Sequence, residues 1–146
     1  MYIGLKHLHS FLPYIFFASG LFLLTRSIIG WRARRTYSKI DNTLRVVVLS
    51  LAHIQLIIGV ILYIISPITK SAFENFGAAM KDSILRLYAV EHITVNIIAI
   101  ILITVGSVKV KREIIEFKKH KWAALFFGFG MILILSRIPW HVWPGL

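Results

Sequence analysis

The chain has 146 residues, 58% of them apolar, and a mean hydropathy of +0.77; soluble domains run at roughly 45–50% apolar, so the composition argues against a water-soluble globule. It also carries 17 Lys and Arg against 6 Asp and Glu, a formal charge of +11, which in a soluble chain would point to nucleic acid. The absence of cysteine excludes disulfide scaffolds, thiolate metal sites, iron–sulfur clusters and covalent c-type haem attachment.

Four apolar stretches follow in chain order, each close to the 20 or so residues that cross a hydrocarbon core of roughly 30 Å. They run from about Leu8 to Ile29, Thr43 to Ile65, Ile84 to Val108 and Trp122 to Ile138. None alternates like a strand, and backbone in lipid must satisfy its own hydrogen bonds. The expected fold is therefore all-α, an integral membrane four-helix up-down bundle forming a single domain over residues 1–146. The first stretch lacks a small-residue cleavage site with a soluble domain after it, and is expected to be retained as a span.

The connectors account for the charge. Arg26, Arg32, Arg34, Arg35 and Lys39 lie around the first connection, and Lys109, Lys111, Arg112, Lys118, Lys119 and Lys121 around the third. The other side receives Lys6, Lys70, Lys81, Arg86 and Arg137. Lys and Arg near span ends stay on the cytoplasmic side, so both termini and the loop of about 66–83 are expected outside, and no nucleic-acid partner is expected. The basic loops then read as contacts with anionic lipid. Trp31 and Trp122 at one level and Trp140 and Trp143 at the other fit interfacial belts. The outer loop, with Phe73, Phe76 and Met80 among charges, reads as a short amphipathic segment, and Asp82 or Ser83 as the cap of the third helix. Pro139 and Pro144 are expected to end the last helix.

Ionisable groups inside a span are costly and mark candidate sites. The chain has six histidines. On an ideal wheel His92 shares a face with Tyr88, Asn96, Ala99 and Gly106, and His9 with Pro13, Phe16, Gly20 and Ser27. His53 lies near mid-membrane on a face with Val46, Leu49, Leu56, Ile57 and Val60. His7, His120 and His141 read as interfacial and solvated. Neutral imidazoles facing each other in an apolar bundle suit axial ligation of haem iron, with surface arginines pairing the propionates. Arg86 and Arg137 stand on the outer side for that role and Arg45 on the inner side. His53 and His92 differ in depth by about 6–9 Å at ideal rise, whereas His9 and His92 sit on helices expected to be diagonal. The candidate cofactor-binding residues are His92, His53, His9, Arg137, Arg86 and Asn96, the three histidines as iron ligands.

The segments HIQLIIGVILYIISP from His53, LRLYAVEHITVNIIAIILITVG from Leu85, LSRIPW from Leu135 and LKHLHS from Leu5 resemble a family of small bacterial four-span membrane proteins described as cytochrome b-like. In general plan the chain is also similar to the four-helix halves of haem A synthases and to cytochrome b561-type bundles. The resemblance implies ligation of haem b by His53 and His92, with His9 as a further candidate, in a multi-pass protein of the bacterial inner membrane. The implied role is electron transfer in or beside a respiratory complex, with a membrane quinol or an outer donor, by a carrier rather than a stand-alone enzyme. Two other readings stand beside it. One is a cofactor-free accessory subunit, associated with other membrane subunits or with its own copies; the other is copper or zinc handling by His7, His9, Glu91 and His141. No phosphate loop, nucleophile elbow or paired acidic motif points to a hydrolase.

Overall fold

The computed structural model describes residues 1–143, and all of its regular structure is helical. Pro144, expected to help close the last helix, lies outside the described residues. Helix α1 runs Tyr2–Arg32, α2 Lys39–Ile65, α3 Pro67–Glu74, α4 Phe76–Ala79 and α5 Ser83–Arg86; a π-helical turn, Leu87–Glu91, leads into α6, His92–Arg112, and α7 runs Glu116–Ser136. The stretch Ser83–Arg112 is one long rod with a widened turn inside it.

Each boundary has a local chemical cause. Ser38 opens α2 with a capping box: its hydroxyl accepts from the Asp41 N–H while the Asp41 carboxylate accepts from the Ser38 N–H, which satisfies two of the donors a helix start leaves unpaired. Pro67 sits in the first turn of α3, where its missing N–H is harmless. Asp82 caps α5 by accepting from the backbone of Ile84 and Leu85, one of the two caps expected there. The segment between Ser66 and Asp82 is mostly helical and tucks Thr69, Ala72 and Ala79 inward while Phe73 and Phe76 stay exposed, the amphipathic division its sequence suggests.

The four long helices pack in a ring: α1 against α2 and α7, and α6 against α2 and α7. Between them Phe16, Leu23, Val48, Ala52, Ile100, Ile103, Phe127 and Met131 form the core. Small residues bring the helices close. A Cβ placed on Gly20 would lie 2.8 Å from the Met131 sulfur, and one on Gly130 2.5 Å from Ile103. The outward faces are strongly apolar: Leu21 on α1, Ile57 on α2, Ile101 on α6 and Ile132 on α7 are 61%, 61%, 56% and 61% exposed.

Three helices are long and apolar enough to cross a membrane: Tyr2–Arg32, Lys39–Ile65 and Ser83–Arg112. The stretch expected as a fourth span, Trp122–Ile138, differs. Its helix stops at Ser136, ahead of Pro139, and begins with a turn and a half carrying Glu116, Lys118, Lys119 and Lys121, which shorten its apolar length.

One end of the ring collects the basic connections, where Arg26 of α1 pairs with Asp41 of α2 at 2.6 Å and the Tyr37 N–H donates to Glu116 of α7 at 2.9 Å. The Glu116 carboxyl is held below the usual carboxylate range, first by its hydrogen bond with Lys119 and then by the Tyr37 N–H. Trp31 and Trp122 both stand at this end, under the Lys121 ammonium. At the opposite end Trp140 and Trp143 meet with ring centroids 5.5 Å apart.

Pro13 lies inside α1 and has no N–H for the carbonyl four residues earlier, that of His9. The Gln55 amide of α2 donates to that carbonyl at 2.7 Å. Gln55→Leu is therefore expected to leave it unsatisfied and to cost about 1–3 kcal/mol, measured by thermal unfolding of the detergent-solubilised chain. In a Pro13→Ala background the helix supplies its own N–H, so the same change should cost much less. An equal loss in both backgrounds contradicts this account of Gln55.

Candidate functional site

The end of the ring that carries the N-terminus gathers four of the five outer candidates and lines up the fifth beside them. His9, one turn before Pro13, is half-buried, with its ring laid against Gly59 of α2, where an added Cβ would lie 3.1 Å from His9 Cε1. His92 reaches the same level from α6, across the ring, and the two imidazole centroids are 6.3 Å apart with planes at 71°. The Nδ1–H of His92 donates to the carbonyl of Arg137 at 2.7 Å. A ring that donates from Nδ1 offers its other nitrogen, Nε2, as the electron-pair donor when neutral, the arrangement usual for metal-bound histidine. His9 Nδ1 is buried without a hydrogen-bond partner.

A charged collar surrounds the pair. Glu91, the last residue of the π-helical turn, accepts from Arg86 Nε at 2.7 Å and stands 3.5 Å from Arg137 Nε. Arg86 also donates to the Met80 carbonyl at 2.8 Å, fastening the segment between Ser66 and Asp82 to the bundle. The Asn96 amide donates to the backbone carbonyl of His92 at 2.6 Å, so Asn96 braces the helix and not the imidazole. Tyr63 of α2 donates to the Ala89 carbonyl within the π turn at 2.6 Å, and Trp143 donates to the Ser10 carbonyl at 2.9 Å. π turns within α-helices recur at functional sites, and this one immediately precedes His92.

His53 stands apart. Its Nδ1–H donates to its own helix at the Leu49 carbonyl, 2.8 Å, and its Nε2 lies 3.4 Å from Thr104 Oγ1 of α6. Val46, Ile57 and Val60, read as a lining around it, are exposed on the outer surface, so the ring occupies the rim of the α2–α6 seam and not an interior hollow. Among the described residues no hydrogen bond or ring contact joins it to His9 or His92. Arg45, considered for an inner propionate, is buried and donates to the Ser107 hydroxyl and, at 2.8 Å, to Asn42 Oδ1.

His7 and His141 are exposed, as expected of interfacial residues, and His141 Nε2 is 3.5 Å from the Tyr88 hydroxyl. His120, grouped with them on sequence, is 2% exposed at the basic end. It is sealed there by Gly30 of α1, by Tyr37 at a 4.9 Å centroid distance, and by its Nε2–H donating to the Thr36 carbonyl at 3.3 Å. Its burial depends on a neighbouring helix that offers no side chain, which its own surrounding sequence does not reveal. Among the described residues no three His, Asp or Glu side chains converge as a metal-ion site, so the copper or zinc reading on His7, His9, Glu91 and His141 finds no such group.

Two imidazoles meeting at one level are the donor type that haem iron takes. The enclosure suits it less well. Two hollows lie elsewhere, one against Tyr63, Thr69 and Phe73, the other on the outer face of α6 and α7, and neither is lined by His9 or His92. Comparison with protein-family models, with curated proteins and with solved structures finds no match to this chain.

Proposed function

We propose that this chain is a four-span protein of the bacterial inner membrane in which His9 and His92 would hold a b-type haem, serving electron transfer between a quinol or outer donor and a partner complex. The observation that carries the reading is the meeting of two imidazoles from helices across the ring, 6.3 Å between centroids. For α7 the support is its outward face, as apolar as the others, with Ile132 61% exposed; the lysines of its first turns snorkel to the headgroups. Both termini then lie outside, opposite the basic loops.

In this reading each residue has a distinct task. His92 is oriented by the Arg137 carbonyl and presents Nε2. His9 is steadied by the contact of its ring with Gly59 and by the tie of Gln55 to its backbone. Arg86 and Arg137, which share Glu91, provide the positive charge that receives propionates at the membrane surface. A haem bound there supplies a one-electron couple. His53 takes no part.

The competing reading is a cofactor-free accessory subunit, and one observation favours it: both imidazoles already serve packing, His92 by tying α6 to the end of α7 and His9 by filling the seat at Gly59. The chain purified from haem-replete cells separates the two. A Soret band and a pyridine-haemochrome signal are expected, lost in His9→Ala and His92→Ala and retained in His53→Ala. Haem-free protein, or haem content unchanged in both single variants, gives the accessory reading its place.

A further inference from the structure

The basic end carries a second feature outside the histidine site. Lys109 of α6 and Lys121 of α7 hold their ammonium groups 4.8 and 5.5 Å from the centroid of one ring, Trp122. Lys109 is also 6.0 Å from Phe126, and Lys121 5.7 Å from Trp31. Ammonium groups over aromatic faces are attracted to them and held in place. The Trp122 ring is itself fixed, its indole N–H donating to Glu113 at 3.0 Å. Glu113 also accepts from the backbone of Ile114 and Ile115, so its charge is occupied locally.

From the Trp122 ring on which both lysines rest, an apolar groove of about 440 Å³ descends along the outer face of α6 and α7, lined also by Leu102, Leu125, Phe126, Phe129 and Leu133. Gly106 gives it depth by admitting Phe126 against the α6 backbone. From Trp122 to Leu133 the helix advances about 16 Å at 1.5 Å per residue, close to half of a 30 Å hydrocarbon core. The groove thus has the depth of one leaflet, with two cations at the headgroup level.

We propose that this groove is a binding site for an anionic phospholipid, its phosphate between Lys109 and Lys121 and one acyl chain along Phe126, Phe129 and Leu133. The proposal rests on the membrane reading of the chain and is independent of haem. Charge selects the lipid over a second copy of the protein: two copies inserted in one orientation bring their basic ends to the same level, where the lysines repel, whereas an anionic headgroup meets them with opposite sign.

The test is native mass spectrometry of the full chain in detergent, titrated with phosphatidylglycerol or with phosphatidylcholine of the same acyl length. A preference for phosphatidylglycerol is expected, with affinity falling roughly 10- to 30-fold in the Lys109→Gln/Lys121→Gln double variant and unchanged in Lys70→Gln/Lys81→Gln at the other end. Phe129→Ser is expected to weaken both lipids alike. Lys109, Lys70, Lys81 and Phe129 are exposed and Lys121 is half-buried, and the lipid-free melting temperature serves as the check on folding. Equal binding of the two lipids, or phosphatidylglycerol binding undiminished in the double lysine variant, overturns the site. A discrete dimer that excludes lipid and is lost in Phe129→Ser overturns it in favour of a second copy. Failure of the chain to insert into liposomes at all overturns the membrane reading beneath it.

Discussion

Asp41→Ala is expected to lower the unfolding free energy of the solubilised chain by about 3 kcal/mol, the low end of what removing one partner of a buried ion pair costs. The Asp41 side chain is 2% exposed and accepts from Arg26 Nε at 2.6 Å, from the Ser38 N–H at 2.8 Å and from the Ser38 hydroxyl at 2.6 Å. Its removal therefore takes away the carboxylate half of the capping box, leaving the Ser38 N–H without that acceptor, and leaves the Arg26 charge without its partner. Arg26 keeps 35% of its side chain exposed, so part of that charge is solvated, which moderates the loss. Arg26→Ala should cost less than Asp41→Ala, because Ser38 still caps with the carboxylate, and the double variant should cost little more than Asp41→Ala alone. Thermal unfolding of the four proteins gives the coupling directly. Additive losses, or a loss under about 1 kcal/mol for Asp41→Ala, contradict the view that this pair joins α1 to α2.

Gly30→Ala is expected to cost about 2 kcal/mol, in the range for forcing an extra methyl into a packed site. A Cβ at Gly30 would stand 2.6 Å from three atoms of the His120 ring. That ring has no room to retreat, since it is 2% exposed and rests on Tyr37, so either α1 and α7 separate or the imidazole is expelled. Gly4→Ala and Gly77→Ala are the controls: an added Cβ meets nothing within 4 Å at either position, and alanine is the better helix former by up to about 1 kcal/mol. A compensating change should exist. In a His120→Ala background the Gly30 methyl fills space left by the imidazole, and Gly30→Ala should become neutral or stabilising. If Gly30→Ala is as harmless as the two control substitutions, α1 and α7 do not meet at this seam as described.

The helical rods were legible from their long apolar runs, and the Asp82 cap from its place before one of them. The last helix was legible only as an apolar run, because the charges of its first turns belong to the same helix and shorten the part suited to lipid. The small faces of His9 and His92 were also readable from helical spacing, and Phe16, Gly20, Ser27, Ala99 and Gly106 on them are buried. What spacing did not convey was which faces meet. His53 and His92 carry the most conspicuous motifs, yet His53 bonds within its own helix while His9 meets His92.

The physical reason lies in how helices encode position. Periodicity fixes the angle of one residue relative to others on its own rod, but not the rotation or depth of that rod against another. The π turn at Leu87–Glu91 adds a residue to one turn and displaces the wheel by roughly 100° on its far side. Gln55 answers an orphaned carbonyl 46 positions away, and His120 is buried by a glycine on another helix. The sequence by itself determined an all-helical, lipid-suited chain with most of its cations at one end, because these follow from composition and local order. Which imidazoles come together, which polar groups they leave free, and where lysines and groove align were decided only by tertiary packing, because each depends on contacts between residues that no local pattern connects.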